Sequence, residues 1–87
     1  MPESMEEQLL SLLECFRGRL PDADFCHVRS MIEHREWGIG LEDLCTQLHE
    51  HSIVVNSSEL AWIRALTSKM DLPSETWDFL EDPVRDS

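Results

Sequence analysis

The sequence predicts an all-α fold, a compact single-domain bundle of about five short helices, and three observations carry that prediction. Apolar residues recur at helical spacing in separate segments, as Leu41, Leu44, Cys45 and Leu48 do at i, i+3, i+4 and i+7. Two capping-box patterns, Ser4 with Glu7 and Asn56 with Glu59, mark helix starts. The β-branched run Ile53-Val54-Val55 is too short to build a sheet alone and has nothing to pair with.

Each element follows from local signals. After Ser4, residues Met5, Leu9, Leu12, Leu13 and Phe16 form an apolar stripe, which predicts a first helix running to Phe16 or Arg17. Gly18 and Pro21 break the period. Asp22 or Asp24 then supplies a cap for a second helix bearing Phe25, Val28, Met31 and Ile32, with Arg35 and Trp37 in its last turn and Gly38 as its stop. A third helix is expected from about Gly40 to Glu50, with Glu42, Asp43, Gln47 and Glu50 facing away from its apolar stripe. Ile53-Val54-Val55 reads as an extended connector that plugs the core. A fourth helix carries Leu60, Ile63, Leu66 and Met70, and Pro73 suits the first turn of a short fifth helix containing Trp77, Phe79 and Leu80. Pro83 ends it, and frayed ends are expected at 1–3 and 84–87 of a single domain spanning 1–87.

Seven basic and eighteen acidic residues give a net charge of −11, which repels phosphate backbones and anionic lipid. Direct binding to nucleic acid or to a membrane surface is therefore not expected. Such a surface attracts basic proteins, among them proteins whose clefts bind nucleic acid, although negative charge also serves solubility alone. No apolar run approaches the length of a membrane span, and the acidic start M-P-E-S-M-E-E lacks a positively charged leader, so a cytoplasmic location is expected.

Cys15, Cys26 and Cys45 are odd in number and widely spaced, and read as reduced, buried thiols. Cys45 and His49 lie four apart with His51 nearby, but Cys15, Cys26, His27 and His34 add no metal-ligand spacing, so no metal or other cofactor is expected. The chain has no nucleophile elbow, phosphate loop or dinucleotide fingerprint, and the adjacent carboxylates Glu42/Asp43 and Glu81/Asp82 diverge on a helix. Catalysis is not expected.

Binding is the reading that remains. Of three tryptophans, Trp37 and Trp77 are placed in the core, whereas Trp62 lies on the flank of the Leu60/Ile63 stripe and suits either core or an interface anchor. The acidic residues fall into two sets: Glu33, Glu36, Glu42 and Asp43 around Gly38, and Asp71, Glu75, Asp78, Glu81 and Asp82 toward the C-terminus. Carboxylates opening the third helix would also gain from its dipole. Candidate partner-binding residues are thus Glu33, Glu36, Glu42, Asp43, Trp62, Asp78, Glu81 and Asp82.

The segment containing Glu33, Glu36, Gly38, Leu41, Glu42, Leu44, Cys45, Gln47 and Leu48, with the closing Trp77-Asp78-Phe79-Leu80, resembles the MafI family of immunity proteins. The family pattern favours alanine where this chain has Gly40 and an aliphatic or small residue where it has Asp43. The resemblance implies a cytosolic helical protein that neutralises the C-terminal toxic domain of a secreted or contact-dependent bacterial toxin. The toxin domain would be a basic nuclease, such as an EndoU-type ribonuclease, held by occlusion of its catalytic cleft. A general acidic helical interaction or regulatory module shares the same fold and charge, and its gene would lack a neighbouring toxin gene.

Overall fold

The computed structural model describes residues 4–81. The helices are α1 (Met5–Glu14), α2 (Asp22–Glu33), α3 (Trp37–Glu50) and α4 (Ser57–Lys69), followed by 3₁₀ turns at Ser74–Thr76 and Asp78–Glu81. The expected fifth helix is thus a pair of tight turns, and the expected ends at 1–3 and 84–87, with Pro83, lie outside the described residues. The Cα radius of gyration of 12.1 Å matches the ~12 Å of a compact chain of this length.

Both capping boxes form. Ser4 Oγ accepts from Glu7 N–H at 3.1 Å while Glu7 Oε1 accepts from Ser4 N–H at 3.0 Å. At α4, Asn56 Oδ1 accepts from Glu59 N–H at 2.8 Å and Glu59 Oε1 from Asn56 N–H at 3.1 Å. Each box satisfies two backbone donors that a helix start leaves free. By contrast α2 begins after Pro21 with no side-chain cap, so the expected capping by Asp22 or Asp24 is not found. Both aspartates instead sit in the first turn, where their charge complements the dipole.

Helix ends depart most from expectation. The first helix stops at Glu14, and the chain tightens through i→i+3 bonds from Phe16 N–H to Leu13 O (2.9 Å) and Arg17 N–H to Glu14 O (3.1 Å). The second helix stops at Glu33, not at Gly38, and Arg35 takes the left-handed conformation at φ 65°. There Arg35 N–H donates to Ile32 O and Glu36 N–H to Met31 O, satisfying two terminal carbonyls. Ser52 (φ 53°) closes α3 and Asp71 (φ 58°) closes α4 in the same way, through Ile53 N–H to Leu48 O and Leu72 N–H to Thr67 O. Trp37, Gly38 and Gly40 therefore belong to α3. Gly40 has a packing reason: a Cβ there would lie 3.3 Å from Ile32 Cγ1 and 3.4 Å from Met31 Cβ, so the missing side chain lets α2 and α3 approach closely.

One hydrophobic core joins all the elements. Leu9, Leu12, Leu13 and Phe16 meet Phe25, Val28 and Ile32, the predicted α3 stripe Leu41, Leu44, Cys45 and Leu48, and Ile63 and Leu66 of α4. The connector contributes one full plug, because extended backbone alternates its side chains: Val55 is buried, Ile53 is half-buried and Val54 is 75% exposed. Leu80 closes the core, with Trp77 and Phe79 half-buried beside it.

Candidate interaction surface

The positive charges of this chain are largely committed to its own structure. Arg17 grips Glu14 with Nε to Oε1 at 2.9 Å and Nη2 to Oε2 at 2.6 Å, and these hydrogen bonds hold the Glu14 carboxyl below its usual range. Its guanidinium also lies 4.4 Å from the Phe25 ring centre, with Arg29 at 6.0 Å from the same ring. Arg19 covers Phe16 at 4.6 Å and binds Glu59 Oε2 at 2.5 Å, the Cys15 carbonyl, and the Val54 carbonyl at 3.3 Å. Lys69 Nζ donates to Gln8 Oε1 at 3.3 Å, and Arg64 lies over the Trp77 ring at 4.9 Å.

Most of the described carboxylates are not committed in return. Exposed Glu33, Glu36, Glu42, Glu50, Asp71, Glu75 and Asp78 take part in no ion pair among the described residues. Of the predicted corner set, Glu33 ends α2, Glu36 occupies the N-cap position of α3, and Glu42 stands on the outer side of α3. Because α3 starts at Trp37, Glu42 and Asp43 lie beyond its first turn, and only Glu36 sits at the positive end of the dipole. Asp43 leaves the patch altogether. It turns into the α2–α3 seam, where Gln47 Nε2 donates to Oδ1 at 3.5 Å and His27 Nε2 lies 3.9 Å from Oδ2. That Oδ2 is buried and has no hydrogen-bond partner among the described residues. A second seam contact joins His51 Nε2 to Asp24 Oδ2 at 3.0 Å.

Trp62 is half-buried against the core, in keeping with its flank position. Trp37 is also half-buried, and its indole N–H donates to Ile32 O at 3.1 Å, which ties the corner together. Asp78 is exposed on the second 3₁₀ turn and Glu81 ends that turn, whereas Asp82 lies outside the described residues.

Sequence reasoning put Trp77 in the core and overlooked its surroundings. Trp77 walls an open groove of about 470 Å³ together with Ala61, Arg64, Ala65 and Ser68 of α4 and Leu72 and Ser74 beyond it. The signal was the small-residue spacing Ala61, Ala65, Ser68 on the outer face of an otherwise ordinary helix.

The cysteines divide. Cys45 is buried, and desolvation, aided by Glu42, pushes its thiol up to about 12, so it is a neutral core residue as expected. Cys15 and Cys26 are exposed, contrary to expectation: Cys15 caps the C-terminus of α1 and Cys26 points out from α2. Among the described residues no three His, Cys, Asp or Glu side chains converge as a metal site would require, and no helix is long and apolar enough to cross a membrane. Comparison with known protein families, curated proteins and solved structures finds no match to this chain.

Proposed function

We propose that this protein is a cytoplasmic immunity protein that binds the basic C-terminal toxin domain of a secreted or contact-dependent bacterial toxin and occludes its catalytic cleft. The partner is a nuclease, and an EndoU-type ribonuclease is the form that the resemblance to MafI immunity proteins favours. One observation supports this reading most: Arg17, Arg19, Arg64 and Lys69 are engaged in internal contacts, while nine exposed carboxylates have no ion-pair partner among the described residues. Such a surface complements the Arg and Lys groups with which a nuclease holds phosphates, and it speeds encounter. Inhibition is stoichiometric and involves no chemistry by the inhibitor.

The test is co-expression with the toxin domain encoded beside this gene, followed by co-purification and cleavage assays on RNA and DNA. A one-to-one complex that abolishes cleavage is expected. Free toxin with undiminished cleavage would overturn the reading in favour of a regulatory helical module.

A further inference from the structure

We propose that the groove between α4 and the Leu72–Trp77 segment is a docking site for a basic amphipathic helix of the partner. This rests on the reading of a basic partner given above. Its floor is made of short side chains: Ala61, Ala65 and Ser68 recur along the outer face of α4 and let another helix come near, while Arg64, also in the lining, is drawn aside onto the Trp77 ring. Trp77 supplies the wall. Its indole N–H makes no hydrogen bond among the described residues, whereas the Trp37 indole is satisfied by Ile32 O. A half-exposed tryptophan with an unspent donor beside a concavity has the character of an interface anchor.

Charge selects the occupant. Asp71, Glu75 and Asp78 are exposed and adjoin the lining residues Leu72, Ser74 and Trp77 in the chain. Two cations stand nearby. Lys69 is turned toward Gln8 of α1, and Arg64 is stacked on Trp77, where it already shows that the ring face accepts a guanidinium. The three carboxylates outnumber these two cations, and neither cation pairs with any of them among the described residues. A helix with an apolar stripe flanked by Lys or Arg would seat its stripe on Ala61 and Ala65 and lay its cations against this rim.

The experiment titrates the full chain with an amphipathic Leu/Lys peptide long enough to form a helix, following backbone amide and tryptophan indole resonances by NMR. A Leu/Glu peptide of the same design serves as the charge-reversed control. Shifts at the Trp77 indole and at Ala61, Ala65 and Ser68 with the Leu/Lys peptide are expected. Ala65→Gln, a neutral change at an exposed helical position, should weaken that binding about tenfold while circular dichroism stays the same. Shifts confined to the α2–α3 corner, unchanged binding by Ala65→Gln, or preference for the Leu/Glu peptide would each overturn the proposal. The toxin separates the two claims. Equal capture of the toxin by wild type and Ala65→Gln would remove the groove and leave the immunity reading, whereas peptide seating without toxin capture would do the reverse.

Discussion

Glu59 and Glu36 each stand at the start of a helix, and the protein uses them in opposite ways. Glu59 is buried, closes the Asn56 capping box with Oε1 and holds Arg19 with Oε2. Through Arg19 it fastens the α1–α2 loop to the 53–55 connector, since the same guanidinium binds the carbonyls of Cys15 and Val54. Glu36 occupies the N-cap of α3, is exposed, and makes no side-chain cap bond and no ion pair among the described residues. Two carboxylates at helix starts, one at the third helical position and one at the N-cap, thus differ in whether the fold depends on them. Charge that is not spent on the fold is available to a partner.

Breaking the first member of this comparison should have the largest effect. Glu59→Ala removes half a capping box and leaves Arg19 without its carboxylate, and should cost roughly 2–4 kcal/mol in urea unfolding, after allowance for the exposed part of Arg19. A loss below 1 kcal/mol would show that Arg19 is held by its carbonyls alone.

The interior sharpens the contrast through pH. In the unfolded chain Cys45 ionises near the ordinary thiol value of 9.0, while in the fold burial keeps it neutral to about 12. Stability from this thiol is therefore complete below pH 9 and is lost as pH rises from 9 toward 12, by about 2–3 kcal/mol at pH 11. Unfolding of wild type should steepen over this range relative to Cys45→Ala, and parallel curves would contradict the assignment. The chain has no tyrosine, so alkaline titration is otherwise sparse.

Arg35 adjoins Glu36 and tests the backbone of the corner. Its left-handed φ of 65° favours glycine, so Arg35→Gly should raise stability by about 0.5–1 kcal/mol in thermal melts. A decrease would mean that the Arg35 side chain stabilises the turn. The smallest effect is expected from Glu36→Lys with Glu42→Lys, which should shift stability by less than about 0.5 kcal/mol because neither carboxylate has an ion-pair partner to lose among the described residues. A larger loss would return these residues to the fold.

What the sequence disclosed was local. The stripes and both capping boxes lie within one or two turns of chain, and they placed the interior of every α-helix. Helix ends were misread because Arg35, Ser52 and Asp71 adopt conformations in which glycine is the usual occupant, while Gly38 and Gly40 lie inside α3. Gly40 answers to Ile32 across a helix contact, which spacing along the chain cannot reveal. The candidate surface divides likewise. Glu33, Glu36, Glu42 and Asp78 are exposed, but Asp43 is drawn into a seam by its packing against α2, and the partner of Glu59 lies 40 residues away. Trp77 was assigned to the core from its neighbour Leu80, yet the groove that exposes it is made by α4.

The most direct measurement is the association rate of this protein with the toxin domain proposed as its partner, as a function of salt, for wild type and for Glu36→Lys with Glu42→Lys. If unspent carboxylates recruit the partner, the wild-type rate falls steeply as salt rises, and the double variant associates more slowly at low salt with its stability unchanged. A rate that is independent of salt and equal in both proteins would contradict it.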